Sequence, residues 1–165
     1  MIINQEALLK YAPIKGMLET KGKHNGVSHG LTEAGYDIRI KQEIVFEPGF
    51  GGQPEMSWAS DLRSGVGRFC LASAIEEFDM PNNLVGIVHD KSTWARQGLS
   101  VFNTVIEPGW KGFLTLELVY HGSTRLHIPA GSGIAQVIFH ETRLAAAYSG
   151  KYQNQANEPV PSVFE

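Results

Sequence analysis

Apolar and polar residues alternate along much of this chain, and glycine and proline interrupt the alternation often. Such a period of two is typical of β-strands that bury one face. The 18 glycines and 8 prolines fall largely between the alternating segments, as expected of an all-β domain with many turns. The pattern predicts strands at residues 36–40, 69–74, 84–89, 98–104, 113–120, 125–128 and 134–140.

One short helix is predicted near the start of the chain. Asn4 is a suitable N-cap, and Pro13 ends or kinks the helix. Leu8 and Leu9 supply an apolar stripe that faces the core.

The remaining segments read as loops and a tail. Residues 21–31 contain glycine and histidine, and residues 47–60 are rich in glycine and proline, so both are predicted loops. The polar stretch 149–165 is predicted to be mobile. Without an internal repeat or a second composition break, residues 1–165 are predicted to form a single domain, long enough to bury a real core.

The strand at 113–120 carries the first candidate functional residue. Alternation places Leu114, Leu116, Leu118 and Tyr120 on one face and Phe113, Thr115, Glu117 and Val119 on the other. Taken alone, a glutamate in such a strand is more often an exposed surface residue. The apolar neighbours on its face weaken that interpretation, because a carboxylate among them is costly unless it is paired or used. Glu117 is therefore predicted to face a second buried surface or a cleft.

Residues 91–96, Lys-Ser-Thr-Trp-Ala-Arg, form the second candidate. Ser92 is a good N-cap, and a helix N-terminus presents free N–H groups to an anion. Arg96 lies four residues after Ser92, hence on the same helix face, and can pair with a carboxylate such as Glu117. Lys91 adds a positive charge. An ordinary capped helix with surface charges explains these residues equally well.

Gln136 and the tail are weaker candidates. In a predicted strand, Gln136 can read a polar base edge or, more commonly, bond to the backbone. The tail holds a hinge glycine, Gly150, together with Tyr148, Lys151 and Gln155. It is either a frayed terminus or a lid that closes over an anionic ligand.

Composition and charge argue against several function classes. With 14 Lys+Arg against 17 Asp+Glu, the net charge is −3, which disfavours a general nucleic-acid binder but permits a small anionic ligand. The single cysteine, Cys70, allows neither an internal disulfide nor a multi-cysteine zinc site, and the six histidines lack ligand spacing, so no protein-bound metal is expected. No signal peptide or long apolar run is found, so we expect a cytoplasmic protein without membrane contact.

Several spaced segments, in the right order, resemble the dCTP deaminase family of the dUTPase-like superfamily. Residues 91–96 resemble the family's R-S-S-x-A-R, and residues 106–112 resemble its I-D-P-G-W-x-G. The Leu-Glu pair at 116–117 matches the family's L-E, whose glutamate is the catalytic base. Residues 150–155 resemble the closing K-Y-x-x-Q lid, and residues 36–39 resemble the S-Y-D-x-R-L strand.

The resemblance implies an all-β fold, a β-clip or jelly-roll-like distorted barrel of the dUTPase-like type with a short N-terminal helix and a mobile C-terminal lid at 149–165. It also implies a homotrimer with active sites between subunits. In such enzymes magnesium is carried by the nucleotide triphosphate, and no zinc is used.

The implied activity is zinc-independent hydrolytic deamination of a deoxycytidine nucleotide, dCTP to dUTP plus ammonia, in pyrimidine deoxynucleotide metabolism. By this resemblance Glu117 is the general acid–base, Ser92 orients the water and Arg96 positions Glu117. The substrate-binding residues that the resemblance implies are Lys91, Ser92, Thr93, Arg96, Glu107, Thr115, Leu116, Gln136, Tyr148, Lys151 and Gln155.

Three departures from the family pattern keep alternatives open. Lys91 replaces an arginine, Glu107 replaces an aspartate, and the loop at 103–106 is about two residues shorter than usual. The base and the phosphorylation state of the substrate stay open. One alternative is a dUTP diphosphatase or a bifunctional enzyme, which Glu107 and the missing glycine-rich C-terminal motif disfavour. The other is a non-catalytic nucleotide-binding regulator, which the presence of Ser92, Arg96 and Glu117 disfavours.

Overall fold

A computed structural model describes residues 1–48, 54–57 and 68–164, and these residues form mainly β-strands. Within those ranges the helices are α1 (Gln5–Tyr11) and α2 (Ser92–Ala95). The strands are β1 (Ile2–Ile3), β2 (Lys21–His24), β3 (Val27–Leu31), β4 (Tyr36–Arg39), β5 (Ile44–Pro48), β6 (Pro54–Ser57), β7 (Phe69–Asp79), β8 (Leu84–Asp90), β9 (Leu99–Val101), β10 (Val105–Ile106), β11 (Lys111–Tyr120), β12 (Leu126–Ile128) and β13 (Gly133–Glu141).

The strands of the described ranges form three sheets. The largest has the order β10-β8-β13-β4-β3-β2, with β1 also paired to β13. The two smaller sheets have the orders β7-β11-β9 and β12-β5-β6. The all-β prediction is confirmed, but these sheets do not close into one barrel. Where the large sheet meets β7, Ile40 and Ala74 form an isolated bridge that does not continue as a ladder.

Both predicted loops contain strands, so those predictions are wrong in part. Residues 21–31 form the β2–β3 hairpin, turned by Asn25 and Gly26 at φ 49° and 80°. Positive φ at both turn residues is what an Asn-Gly hairpin turn requires. Within the predicted loop 47–60, β5 ends at Pro48 and pairs with β6, whereas residues 49–53 and 58–60 lie outside the described ranges.

Strand β11 is the structural centre of the candidate site. It pairs with β7 on one side and β9 on the other. Leu116, Leu118 and Tyr120 are at most 2% exposed, as the alternation predicts for a core face. The register with β7 is irregular between Phe113 and Thr115. On the opposite face Thr115 is buried and Glu117 is half-buried, and both side chains line a cleft.

Helix α1 forms as predicted but is not capped as predicted. The side chain of Asn4 donates to the carbonyl oxygen of Glu33 at 2.7 Å and makes no cap hydrogen bond. The helix ends at Tyr11. The N–H of the C-cap residue, Ala12, donates to the Leu8 carbonyl oxygen at 3.0 Å, and Pro13 follows directly. No helix in the described ranges is long and apolar enough to cross a membrane.

Candidate active site

A cleft of about 360 Å³ opens along the half-buried face of β11. Three parts of the chain line it: strands β7 and β11, the segment at 104–110, and the C-terminal tail. The lining side chains are Phe69, Leu71, Thr104, Val105, Ile106, Glu107, Trp110, Leu114, Thr115, Glu117, Tyr148, Tyr152, Gln155, Val160 and Ser162. Most of these side chains are apolar or aromatic, with a few polar groups, as in sites for small organic ligands.

Glu117 lies on the wall of this cleft, half-buried, as the strand pattern predicts. Burial raises the pKa of its carboxyl above the usual range, because an apolar environment disfavours the charged form. A contact with its own backbone and a hydrogen bond with Thr104 oppose that rise. The Thr104 hydroxyl lies 3.3 Å from Oε2 of Glu117. A carboxyl with a raised pKa holds a proton more readily than an ordinary glutamate does, which suits a group that takes up and returns a proton.

The C-terminal tail packs along β11 and contributes side chains to the lining of the cleft. Gln155 forms a parallel bridge with Gly112, and its carbonyl oxygen accepts from the Phe113 N–H at 3.1 Å. Gly112 has φ 130°, and a Cβ there would lie 2.5 Å from the Gln155 nitrogen, so the close approach requires glycine. Trp110 Nε1 donates to the Tyr152 carbonyl oxygen at 2.6 Å. The residues predicted to form a lid therefore contact the cleft.

Inside the cleft, the tail also forms a hydrogen bond with a polar side chain of β11. The N–H of Val160 donates to Oγ1 of Thr115 at 3.0 Å. Lys151 donates to the carbonyl oxygen of Val163 and lies 5.5 Å from the Tyr152 ring centroid. Lys151, a predicted substrate-binding residue, therefore makes these contacts within the tail.

Lys91 is buried rather than exposed to a ligand. Its ammonium group forms an ion pair with Asp37 and donates to Oγ of Ser28 at 3.0 Å. The N-cap position of α2 is Lys91 in an extended conformation, not Ser92 as predicted, and no side chain caps this helix. Trp94 Nε1 donates to the Gly133 carbonyl oxygen at 2.6 Å and anchors α2 to the large sheet.

The predicted partners of Glu117 on α2 lie outside the cleft of the same chain. Ser92, Thr93 and Arg96 are exposed, and in the described ranges no salt bridge joins Arg96 to Glu117. One chain thus brings Glu117 together with the tail but not with α2.

The other predicted binding residues divide between the cleft and the core. Glu107, Thr115, Tyr148 and Gln155 line the cleft. The side chain of Leu116 belongs to the buried core face of β11.

Gln136 lies on β13 and binds within the protein. Its Nε2 donates to Oγ1 of Thr32 at 3.1 Å. Gln136 therefore bonds to a side chain, whereas the sequence analysis considered a hydrogen bond to the backbone. Among the residues that the structure describes, no group of three or more His, Cys, Asp and Glu side chains could hold a metal ion.

Comparison with known proteins shows the family to which this chain belongs. The family model described as dCTP deaminase-like matches residues 24–142. The chain belongs to the dCTP deaminase-like family. A dCTP deaminase of Campylobacter concisus is 35% identical over 84% of this chain and 83% of its own length. A dCTP deaminase of Chlamydia trachomatis serovar L2 is 32% identical over 99% of this chain and 94% of its own. The prediction of a dCTP deaminase-type enzyme is confirmed at this level.

Solved structures agree on the fold. The 2'-deoxycytidine 5'-triphosphate deaminase from Agrobacterium tumefaciens has a TM-score of 0.55 at 18% identity, over 84% of this chain and 47% of that one. The native EIAV dUTPase has a TM-score of 0.52 at 18% identity, over 82% of this chain and 92% of that one. The dUTPase-like fold of this dCTP deaminase family member is thereby confirmed.

Sequence analysis missed several cleft residues of this family member. Phe69, Trp110 and Tyr152 line the cleft, whereas the sequence predicts them only as part of a strand, a motif and the tail, respectively. Thr104 is predicted only as the end of the strand at 98–104 and as part of the shortened loop at 103–106. A polar residue within a shortened loop is an available signal, but its partner, Glu117, lies 13 positions further along the chain and becomes a neighbour only in the fold.

Proposed function

We propose that this protein catalyses the hydrolytic deamination of dCTP to dUTP and ammonia. The observation that carries the proposal is the half-buried Glu117 carboxyl on the wall of a mainly apolar cleft. The curated relatives named dCTP deaminase, which align with most of this chain, support the choice of substrate.

In the proposed reaction Glu117 moves two protons in turn. A water attacks C4 of cytosine while Glu117 takes one of its protons and delivers that proton to N3. Glu117 then takes the proton of the C4 hydroxyl and delivers it to the amino group. The C4–N bond breaks, ammonia leaves and the C4 carbonyl of uracil forms. A carboxyl with a raised pKa suits both roles, because it accepts and releases a proton at modest cost.

We propose that a second subunit completes each site in a homotrimer. Ser92 and Arg96 are exposed on α2 and do not reach the cleft of their own chain, so they are available to a neighbour. In the assembled site Ser92 orients the water and Arg96 pairs with Glu117. The backbone at α2, with Thr93 and with Lys151 of the lid, faces the phosphates. Magnesium enters with the triphosphate of the substrate, and the carboxyl chemistry needs no zinc.

Mixing two inactive variants tests the shared site. Glu117→Gln lacks the proton carrier, and Ser92→Ala lacks the water-orienting hydroxyl. Refolded together in equal amounts, random assembly leaves about a quarter of the sites with both intact residues when each site draws on two subunits. Recovery of about a quarter of the wild-type rate is expected. No recovery in mixed trimers would show that Glu117 and Ser92 do not act across subunits.

Product analysis tests the reaction itself. The purified protein is incubated with magnesium and, separately, with dCTP, dCMP and dUTP, and the nucleotides, ammonia and pyrophosphate are measured. We expect dUTP and ammonia from dCTP, with substoichiometric zinc in the active preparation. Pyrophosphate release from dUTP would favour a diphosphatase, and binding without any product would favour a nucleotide-binding regulator.

A further inference from the structure

We propose that Thr104 is a positioning residue that fixes the carboxylate of Glu117 for proton transfer. This inference rests on the proposed function of Glu117 and assigns a role to a residue of the shortened loop at 103–106. Its starting point is the 3.3 Å separation between Oγ1 of Thr104 and Oε2 of Glu117.

The backbone around Thr104 is held on two sides. At one end of the loop, the N–H of Phe102 donates to the carbonyl oxygen of Glu117 at 3.0 Å. At the other end, the N–H of Val88 donates to the carbonyl oxygen of Thr104 at 3.0 Å. The loop thus joins the strand that carries Glu117 to β8 of the large sheet. Such anchors place the hydroxyl relative to the carboxylate without relying on a flexible segment.

The hydroxyl of Thr104 has two acceptors within reach. The Phe102 carbonyl oxygen lies at 3.4 Å and the Glu117 carboxylate at 3.3 Å. An ionised carboxylate accepts a stronger hydrogen bond than a neutral carbonyl oxygen does. The hydroxyl therefore turns toward Glu117 when that group is ionised, and it can relax toward Phe102 when the carboxyl is protonated.

This arrangement leaves the two carboxylate oxygens with different tasks. Oε2 accepts from the Thr104 hydroxyl, whereas no side chain of another residue in the described ranges donates to Oε1. Oε1 is then the atom that meets the water and the base. The other ionisable side chains on the described cleft wall are Glu107, Tyr148 and Tyr152. None of these is cationic, so in the described part of this chain the ionised form of Glu117 is favoured by its own backbone and by the Thr104 hydroxyl, and Thr104 is the side chain that does so.

The test compares three substitutions with a matched control. Thr104→Val keeps the shape and removes the hydroxyl, Thr104→Ala removes it with less bulk, and Thr104→Ser keeps it. Thr142→Val is the control, because Thr142 Oγ1 donates to the Leu144 carbonyl oxygen at 2.8 Å and lies outside the cleft. Thermal melts establish that each variant is folded before its kinetics are compared.

We expect Thr104→Val and Thr104→Ala to lower kcat for dCTP about tenfold while KM changes less than about threefold. Loss of a hydrogen bond to the ionised form raises the pKa of Glu117, so the acidic limb of the kcat profile moves to higher pH by about half a unit or more. Thr104→Ser should restore both quantities, and Thr142→Val should change neither.

A measurement without turnover separates this inference from the proposed function. The carboxyl carbon of Glu117 is titrated by NMR in the wild type and in Thr104→Val, or in Thr104→Ala if the valine variant does not fold. A higher pKa in the variant supports the proposal even if dCTP is not the substrate. An unchanged titration, or an active enzyme whose kcat and pH profile survive Thr104→Val, would overturn it. A wild type inactive on dCTP with a shifted titration would count against the function alone.

Discussion

Replacing Lys91 with methionine is expected to destabilise the fold strongly, because Lys91 compensates a buried charge. The side chains of Lys91 and Asp37 are 9% and 4% exposed and form an ion pair. Lys91→Met keeps the length of the side chain but leaves the Asp37 carboxylate buried with Ser28 as its remaining described partner, at 3.3 Å. Removing one partner of a buried pair in this way costs about 3–5 kcal/mol.

That cost predicts a large shift in thermal unfolding. For a chain of 165 residues, the loss corresponds to a fall in Tm of roughly 10 °C. The double variant Lys91→Met with Asp37→Asn removes the stranded charge and should recover about half of the loss or more. A surface pair provides the control: Lys21 and Glu33 are 44% and 84% exposed at 3.0 Å, so Lys21→Met should leave Tm within about 2 °C.

The assay is differential scanning calorimetry together with dCTP kinetics on the same preparations. A buried role for Lys91 predicts a lower Tm that the double variant partly restores. If Lys91→Met melted within about 2 °C of the wild type while KM for dCTP rose tenfold or more, the ammonium group would be a phosphate ligand and the reasoning from burial would fail.

Three further outcomes follow from the site and the core. Truncation after Ala147 removes the tail that forms hydrogen bonds with Trp110 and Thr115. The apparent KM for dCTP should therefore rise at least about tenfold, or turnover should cease, and Tm should fall by a few degrees. Unaltered kinetics would show that the tail is not a lid. Burial raises the pKa of Cys70 to about 12, so iodoacetamide at pH 8 should label it only after denaturation, and rapid labelling of the native protein would contradict its buried placement. Glu107 carries one methylene more than the family's aspartate, and this displaces its carboxylate in the cleft by roughly an ångström. Pyrophosphate release from dUTP should therefore be at least about a hundredfold slower than ammonia release from dCTP. Comparable rates would indicate a bifunctional enzyme.

Period-two alternation was sufficient to predict the strand that carries the site. It placed Leu116 and Leu118 in the core and Glu117 on the opposite face, because side-chain direction in a strand depends only on parity. The hairpin at 21–31 was missed although Asn25-Gly26 is a strong turn signal, since its flanking residues include lysine, histidine and glycine instead of an apolar run.

Local sequence patterns do not predict the contacts between distant segments of the chain. Lys91 and Asp37 are charged residues 54 positions apart, and either one alone reads as a surface group. Their burial follows from the pairing of β13 with both β4 and β8, which brings the two strand ends together. The Thr104–Glu117 contact likewise depends on the fold, because the loop and β11 are joined through backbone hydrogen bonds that no sequence period encodes.

The central claim is that Glu117 transfers the protons of deamination, and Glu117→Gln tests it most directly. Glutamine preserves the size of the side chain but cannot cycle a proton. Ammonia release from dCTP and equilibrium binding of dCTP are measured on the wild type and the variant, with Thr142→Val as the control. We expect the variant to bind dCTP within a few fold of the wild type and to lose ammonia release by at least about a hundredfold. Near-normal ammonia release from Glu117→Gln would contradict the account.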